Sequence, residues 1–271
     1  MQRNKSIDAG KGFDWGRTSA DYAKYRDIYP PEFYQRLLEL GLCTSGQRVL
    51  DLGTGTGVLP RYLYNQGAQF TGIDIAENQI IQARRLAQEA GMEIAFYPVA
   101  AEDASFPDDS FDVVTACQCF FYFDAARLLP NLRRMLVPGG KLAILYMAWL
   151  PGEDPIARAS EDLVLRYNPQ WSGGGETRHP LAVPAAAKGL FQVEQSLVFD
   201  LQVPFTRESW NGRIKACRGI GASLSPTEVA SFEREHLRLL AKLAPEQFEV
   251  AHYAAMLILK AEPKENLRQQ A

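Results

Sequence analysis

The sequence predicts an α/β fold in which helices cover both faces of a doubly wound, mostly parallel sheet. The segment 49–57 has the sequence VLDLGTGTG, so a short apolar run ends in a turn of alternating glycines. Short apolar runs then alternate with segments of helical length along the first 150 residues, as in doubly wound sheets. The run 141–148 is apolar almost throughout, which is typical of a parallel strand that is buried on both faces.

The alternation of apolar runs with segments of helical length predicts seven strands and the helices between them. We predict strands, the last one antiparallel, at 48–52, 70–75, 94–99, 111–117, 141–148, 191–203 and 248–261. We predict helices at 30–40, 56–65, 77–90 and 125–136, with a short one near 185–190. The segment 206–244 also reads as helical, with a helix start signal at Ser225-Pro226-Thr227-Glu228. Pro31 at a first helical position and Gly41 just past the end delimit the first helix. Pro138-Gly139-Gly140 predicts a turn before the fifth strand.

We expect the whole chain, 1–271, to form one domain. In this plan 1–45 is an N-terminal helical lid, 46–150 is the core that carries the glycine turn, and 151–190 and 204–245 are cap insertions. The segment 151–184 is rich in Gly, Pro and Trp and breaks the alternation of strands and helices.

Composition narrows the class of protein. With 271 residues, 46% hydrophobic residues, a net charge of −3 and a pI near 5.7, the chain lacks the basic surplus of a dedicated nucleic-acid binder. Its four cysteines form no paired C-x-x-C units, so we expect no metal site. The N-terminus lacks the apolar core of a signal peptide, and the run 142–150 is too short to cross a bilayer. We therefore expect a cytoplasmic protein without a membrane span, and its oligomeric state stays open.

Acidic and amide side chains follow three of the predicted strands. Asp74 lies at the end of the second strand, Glu102 and Asp103 follow the third, and Gln118 follows the fourth. Ligands of open α/β sheets lie beyond the carboxyl ends of the strands, so a carboxylate at position 74 can accept hydrogen bonds from a ribose diol. The other two acids would then lie near an adenine edge, and Gln118 near the reacting groups. Each residue also has a plainer interpretation, as a solvated turn acid, a loop acid or an amide that bonds local backbone.

As an ordered set, these motifs resemble the class I S-adenosylmethionine-dependent methyltransferases, of the small-molecule type grouped with the ubiquinone/menaquinone and trans-aconitate methyltransferases. The matching segments are VLDLGTGTG at 49–57, GID at 72–74, AEDASFPDDSFDVV at 101–114, LVPGGKL at 136–142 and ADYAKYRDIYP at 20–30. The resemblance implies a seven-stranded Rossmann-like fold, S-adenosylmethionine as methyl donor and S-adenosylhomocysteine as product. It covers about the first 150 residues, and beyond them only the fold is similar.

The resemblance also implies a role for each matching group. Asp74 would hold the ribose, the glycine turn would pass close to the methionine moiety, and Asp51 would orient that turn or meet the ammonium group. The expected donor site comprises Asp51, Gly53, Thr54, Gly55, Asp74, Ile75, Glu102, Asp103 and Gln118. In the N-terminal element, Tyr22, Tyr25 and Arg26 would cover the amino-acid end of the donor, unless they only pack on a helix surface. The guanidinium of Arg26 would suit the donor's carboxylate.

The segment after the fourth strand departs from the family pattern. Related chains often have roughly AQAFHWFD there, whereas 117–124 is CQCFFYFD, so Phe121 stands where a histidine is common. An imidazole base is therefore absent from this position. We expect Cys117 and Cys119 to be packed small side chains rather than a redox or arsenic site.

The acceptor pocket is expected in the cap. Its candidate residues are Trp149, Trp171, Trp210, Arg213 and Arg218. The two guanidiniums would bind an anionic small molecule, unless they belong to a solvated basic face. Methyl transfer from a sulfonium is an in-line displacement in which the enzyme mainly supplies position, so a base is needed only if the acceptor must lose a proton. His179 is the one histidine that we consider for that role, against a plain surface position.

Other functions stay open from the sequence. A nicotinamide-dependent oxidoreductase shares the glycine turn and the ribose acid, but its pattern is G-x-G-x-x-G where this chain has G-x-G-x-G. A non-catalytic module that binds the donor, and a methyltransferase that acts on a protein, are both compatible with the sequence. The net negative charge and the lack of an Asn-Pro-Pro-Tyr-like motif disfavour a nucleobase acceptor.

Overall fold

The computed structural model describes residues 7–25 and 28–263, and within these ranges seven strands form one sheet. The strands are β1 (Arg48–Leu52), β2 (Gln69–Asp74), β3 (Ala95–Pro98), β4 (Phe111–Cys117), β5 (Leu136–Trp149), β6 (Phe191–Thr206) and β7 (Gln247–Ala261). Their order is β3-β2-β1-β4-β5-β7-β6. The pairs from β3 to β5 are parallel, whereas β7 runs antiparallel to both of its neighbours. The predicted fold class, including the antiparallel last strand, is confirmed.

Eight α-helices flank these strands in the described part of the chain. They are α1 (Ser19–Tyr25), α2 (Pro31–Glu39), α3 (Val58–Leu63), α4 (Glu77–Glu89), α5 (Ala125–Met135), α6 (Pro155–Tyr167), α7 (Arg207–Lys215) and α8 (Pro226–Leu243). Asp124 and Asp154 cap the first N–H groups of α5 and α6, and Thr206 and Ser225 form capping boxes at α7 and α8. Such a cap stabilises a helix by about 1 kcal/mol. Among these described helices, none is both long and apolar enough to cross a membrane.

The structure corrects the predicted start of the fifth strand. β5 begins at Leu136 rather than at 141, so Pro138-Gly139-Gly140 lies inside the strand. The pairing of β4 with β5 shifts register between Phe111 and Val113, and Gly139 has a φ of +74°. The proline and glycines therefore mark an irregularity within the strand, because a bulge uses the same residue types as a turn.

Two predictions after residue 150 are also corrected. The segment 151–184, for which the sequence predicts no regular element, contains α6, whose start signal is Asp154 followed by Pro155. The predicted helical segment 206–244 consists of two helices, α7 and α8, separated by the turns of 216–225, and α8 begins at the predicted start signal of Ser225 and Pro226.

The chain divides into two compact units, each assembled from three segments. The core unit is Pro31–Met147, His179–Phe199 and the described part of Ala254–Ala271. The insert unit is the described part of Met1–Pro30, together with Ala148–Arg178 and Asp200–Tyr253. The plan of one domain with a lid at 1–45 and caps at 151–190 and 204–245 stays a prediction.

A hydrophobic cluster in the core unit fixes the strands that carry the glycine turn. Leu50 and Leu52 of β1 belong to it together with Leu128 and Leu132 of α5 and Leu142 of β5, and all five side chains are fully buried. Burying one leucine stabilises a fold by about 1.5–3 kcal/mol. The carboxyl ends of β1 and β4 are therefore held firmly in place.

Candidate functional site

The glycine turn after β1 adopts a left-handed backbone conformation. Gly53, Gly55 and Gly57 have φ values of +56°, +56° and +73°. This region costs other residues about 1–2 kcal/mol each. A Cβ added at Gly53 would also lie 2.9 Å from both Cβ and Sγ of Cys119. The turn therefore needs glycine for its conformation and, at position 53, for space as well.

Asp74 at the end of β2 holds this turn through backbone hydrogen bonds. Its Oδ2 accepts the N–H of Gly55 at 2.9 Å, and its Oδ1 accepts the N–H of Ala76 at 2.8 Å. The N–H of Thr54 donates to the carbonyl of Ile73 at 2.9 Å, which adds a second link between the turn and β2. Burial raises the pKa of Asp74, and the two N–H groups oppose that shift. Since each carboxylate oxygen has a further lone pair, Asp74 can accept two more hydrogen bonds, as from a vicinal diol.

Asp51 lies buried in β1 at the base of the turn. It is paired in register with Thr115 of β4, whose hydroxyl donates to Oδ1 at 2.6 Å. Burial raises the pKa of Asp51 to about 6, the hydrogen bond from Thr115 opposes the rise, and the charge of Asp74 adds to it. Asp51 is therefore mostly ionised at neutral pH and suits a cationic partner.

The residues expected beside adenine lie after β2 and β3. Ile75 exposes 59% of its surface and offers an apolar contact at the tip of β2. Oε1 of Glu102 accepts the N–H of Asp124 at 2.8 Å, and Asp103 forms an exposed ion pair with Arg127 at 2.9 Å. Both acids thus also contact the start of α5.

The residues after β4 bond to neighbouring strands. Gln118 has a positive φ of 65°, and its side-chain Nε2 donates to the carbonyl of Met147, which is the plainer of its two interpretations. The thiol of Cys119 donates to the carbonyl of Leu52 at 3.1 Å, and burial raises its pKa well above the ordinary value. Cys119 is therefore an inert, protonated thiol that packs under the glycine turn.

His179, the candidate base, is exposed in the core unit. Its Nδ1 donates to the carbonyl of Pro180 at 3.1 Å. The centre of its ring lies 6.3 Å from that of Tyr146, and the ring of Phe121 lies 6.2 Å from the same tyrosine. His179 thus has the surroundings of a surface residue, and its expected role stays a prediction.

Three of the five expected acceptor residues come together in the insert unit. The rings of Trp149 and Trp210 pack edge to face at 5.5 Å, and the guanidinium of Arg213 lies 4.9 Å from the centre of a Trp149 ring. Glu161 of α6 accepts the indole N–H of Trp149 at 2.6 Å and the N–H of Gly175 at 2.8 Å, which fixes the orientation of the indole. The buried guanidinium of Arg213 therefore packs against the indole of Trp149.

The other two expected acceptor residues contact different groups of the insert unit. Arg218 forms a buried ion pair with Asp8, with Nε 2.8 Å from Oδ2. Ser172 donates to the same carboxylate through its N–H at 2.7 Å and its hydroxyl at 3.0 Å. Trp171 packs against Gly219, where an added Cβ would lie 3.0 Å from the indole. The charge of Arg218 is already balanced by Asp8, so its expected role in binding an acceptor stays a prediction.

In the N-terminal element, only Tyr25 can be placed among the three expected residues. Its hydroxyl donates to Oε1 of Glu208 at 3.0 Å, and its ring covers Gly212. The side chain of Tyr22 and the whole of Arg26 lie outside the described residues, so their roles stay predictions.

Three buried polar residues beside these groups escape the sequence analysis. The position of Thr115 opposite Asp51 follows from the register of β1 and β4, which local sequence patterns do not give. The contact of Glu161 with Trp149 depends on α6, a helix that the sequence does not predict. His252 of β7 lies beside Trp149, with 6.4 Å between ring centres, in a strand whose sequence is otherwise largely apolar. Strand register is the one signal that finds Thr115 from sequence.

The strand-tip residues of the core unit fit a nucleoside with a cationic amino-acid tail. Asp74 provides two oxygens for a diol, Asp51 provides an ionised acid, and Ile75 provides an apolar contact for a flat base. The left-handed glycine turn presents backbone without side chains between them.

Comparisons with known proteins agree with this chemistry. A family profile described as a methyltransferase domain matches residues 50–144. The ubiquinone biosynthesis O-methyltransferase of Stutzerimonas stutzeri is 34% identical over 158 residues, which cover 58% of this chain and 67% of that protein. The demethylmenaquinone methyltransferase of Thermus thermophilus is 40% identical over 114 residues, which cover 41% and 52%.

The sequence matches and the structural matches cover different shares of the chain. The chain spans about half the length of several of the curated relatives it matches. The crystal structure of the YcgJ protein from Bacillus subtilis aligns with a TM-score of 0.51 at 21% identity, covering 86% of this chain and 99% of that one. The structural match extends well past residue 150 but, at this identity, shows a shared fold alone.

Proposed function

This chain belongs to the class I S-adenosylmethionine-dependent methyltransferases, and we propose that it transfers a methyl group from S-adenosylmethionine to a small organic anion. The observation that carries the proposal is the carboxylate of Asp74 at the tip of β2, bonded to a left-handed glycine turn. S-adenosylhomocysteine is the expected second product.

The core unit binds the donor in this proposal. Asp74 accepts the two ribose hydroxyls, and hydrogen bonds to a charged group contribute about 1.5–3 kcal/mol each. Asp51 attracts the ammonium group, and Ile75 packs on the adenine ring. When bound, S-adenosylmethionine supplies a methyl group that its sulfonium has already activated.

The insert unit binds the acceptor. Arg213 is a buried cation over the indole of Trp149, so an anionic oxygen beside it would gain a charge-assisted hydrogen bond in a medium of low dielectric constant. Glu161 keeps the indole in the orientation that supports the guanidinium. An anionic small molecule is therefore the acceptor class that these residues favour.

No base is required for an acceptor that is already ionised. The reaction is then an in-line displacement, to which correct positioning of the two reactants can contribute about 7–11 kcal/mol. The exposed position of His179 agrees with a mechanism that does not use it as a base.

The test combines donor binding with turnover. Calorimetry with S-adenosylmethionine, S-adenosylhomocysteine and nicotinamide dinucleotides should show binding of the first two only. Release of S-adenosylhomocysteine is then measured against a panel of small carboxylic acids and phenols. Donor binding without turnover on small molecules or proteins would instead indicate a non-catalytic module, and turnover on protein alone would indicate a protein acceptor.

Arg213 can be tested against a matched arginine of the same helix. Arg213→Met should raise the KM for the acceptor at least tenfold and leave the Kd for S-adenosylhomocysteine unchanged. Arg207, which donates to the carbonyl of Ala244, is the control, because Arg207→Met removes a guanidinium of α7 away from Trp149. A weaker donor affinity in Arg213→Met with unchanged KM would mean that the acceptor site is misplaced.

A further inference from the structure

The imidazole of His252 has one buried nitrogen without a hydrogen-bond partner among the described residues. His252 is 1% exposed, and its Nδ1 donates to the carbonyl of Val250 at 2.8 Å. Because Nδ1 carries the proton, Nε2 carries a lone pair, and no donor of the described chain reaches it. Buried polar atoms are rarely left without a partner, so this nitrogen points to a ligand that donates a hydrogen bond.

A second buried histidine of the insert unit provides an internal comparison. His236 of α8 is fully buried, its Nδ1 is 2.9 Å from Oδ1 of Asn211, and its Nε2 is 2.9 Å from the hydroxyl of Ser160. Both ring nitrogens of His236 are therefore satisfied within the protein. The same unit leaves Nε2 of His252 without a partner among the described residues, so the two buried histidines differ in how their ring nitrogens are satisfied.

Aromatic side chains and a cation surround the imidazole of His252. The ring centres of Trp149, Trp210 and Phe205 lie 6.4, 6.3 and 6.0 Å away, and Phe205 is stacked on it. Burial lowers the pKa of His252 to about 3, and the charge of Arg213 adds to this shift. At neutral pH the imidazole is therefore neutral, and it accepts a hydrogen bond without taking up the proton.

A groove of about 450 Å³ lies against the same cluster. It is lined by residues 204–206, Ser209 and residues 247–249. Phe205 both lines this groove and stacks on His252, so its ring separates the groove from the imidazole.

We propose that Arg213 and His252 together recognise the methyl acceptor as a flat aromatic molecule that carries an ionised oxygen and a separate hydrogen-bond donor. The guanidinium of Arg213 binds the ionised oxygen, Nε2 of His252 accepts the hydrogen bond from a hydroxyl or N–H group, and Trp149 and Phe205 contact the ring. This inference rests on the proposed function, because it names the acceptor class of that reaction. His252 acts as a positioning and specificity residue and removes no proton.

The test measures binding to the full chain saturated with S-adenosylhomocysteine. The probes are the three hydroxybenzoate isomers, benzoate and phenol, titrated by calorimetry. At least one hydroxybenzoate should bind about tenfold or more tightly than benzoate and than phenol, which corresponds to one good hydrogen bond. His252→Asn keeps an N–H for the Val250 carbonyl and removes the Nε2 lone pair. This variant should therefore bind the hydroxybenzoate no more tightly than benzoate, while its affinity for benzoate stays unchanged.

His236→Asn is the matched control. It replaces a buried histidine of the same unit, so its melting temperature should fall while the ratio of hydroxybenzoate to benzoate affinity stays as in the unsubstituted protein. Should His252→Asn fail to fold, nitrogen NMR of the unsubstituted protein labelled on histidine gives the same information. The Nε2 resonance of His252 should shift on addition of the hydroxybenzoate and stay unchanged with benzoate.

Failure of this inference and failure of the proposed function are distinguishable. A protein that binds no S-adenosylhomocysteine contradicts the proposed function. A protein that binds it but shows equal affinity for hydroxybenzoates and benzoate, or an unchanged ratio in His252→Asn, overturns only the role of His252 and leaves its Nε2 to an ordered water.

Discussion

Asp51 and Thr115 face each other across β1 and β4, and the hydroxyl of Thr115 donates to the Asp51 carboxylate at 2.6 Å. This bond supports the ionised form of an acid that burial drives toward the neutral form. The two effects leave Asp51 with a pKa of about 6, so a charge that can titrate near neutrality lies beneath the glycine turn.

Donor affinity should depend on pH through Asp51. Because its pKa is raised from 3.8 to about 6, the ionised form that we propose for binding the ammonium group is lost as pH falls through about 6. The affinity for S-adenosylhomocysteine, measured by calorimetry, should therefore fall severalfold as the pH is lowered from about 7 to about 5. Asp51→Asn should remove this dependence, and Thr115→Val should move the midpoint to higher pH.

The titration of Asp51 also affects the stability of the fold, which should fall as pH rises, whereas donor affinity should rise. An acid whose pKa is higher in the folded state favours folding below its unfolded pKa of 3.8, and this contribution is lost as pH rises through about 6. Asp51→Asn should therefore unfold at a higher denaturant concentration than the unsubstituted protein at neutral pH. For donor affinity, an equal pH dependence in Asp51→Asn and in the unsubstituted protein would exclude Asp51 as the titrating group.

Gly53→Ala should destabilise the fold more than Gly91→Ala. Both glycines have left-handed φ values, +56° and +66°, so each substitution carries a backbone cost of about 1–2 kcal/mol. A Cβ at position 91 meets nothing within 4 Å, whereas at 53 it lies 2.9 Å from Cys119, which adds an overpacking cost of about 1–3 kcal/mol. Denaturant unfolding checks the difference, and equal costs would show that the turn has more room than its geometry indicates.

Arg218→Met should lower the free energy of unfolding by about 3–5 kcal/mol, because it leaves the fully buried Asp8 without its cation. Adding Asp8→Asn should recover part of the loss, which a double-mutant cycle in denaturant measures. The opposite pattern, unchanged stability with weaker acceptor binding, would restore the acceptor role that the sequence suggests for Arg218.

The sequence predicts the core unit well because its signals are local. β1 and β4 have the predicted bounds, and α2 begins at the proline and ends just before the glycine that predict it. The acid at the tip of β2 follows from strand polarity alone. Between Leu136 and Gly140 the prediction fails, since a bulged strand and a turn use the same residues.

The insert unit depends on contacts that no local pattern encodes. Asp8 and Arg218 are 210 residues apart, and Glu161 joins Trp149 to Gly175 only through the fold. His252 and His236 look alike in sequence, and only the partners of their ring nitrogens separate them.

In the proposed function the Asp74 carboxylate holds the donor's ribose. The most direct test is a calorimetric titration of S-adenosylhomocysteine into the unsubstituted protein, Asp74→Asn and Asp112→Asn, whose aspartate lies at the amino end of β4 and pairs with Arg48. Losing a charged acceptor costs about 1.5–3 kcal/mol, so Asp74→Asn should bind at least about tenfold more weakly, while Asp112→Asn should stay within about twofold. Undiminished binding by Asp74→Asn, or no binding by the unsubstituted protein, would exclude this role of Asp74.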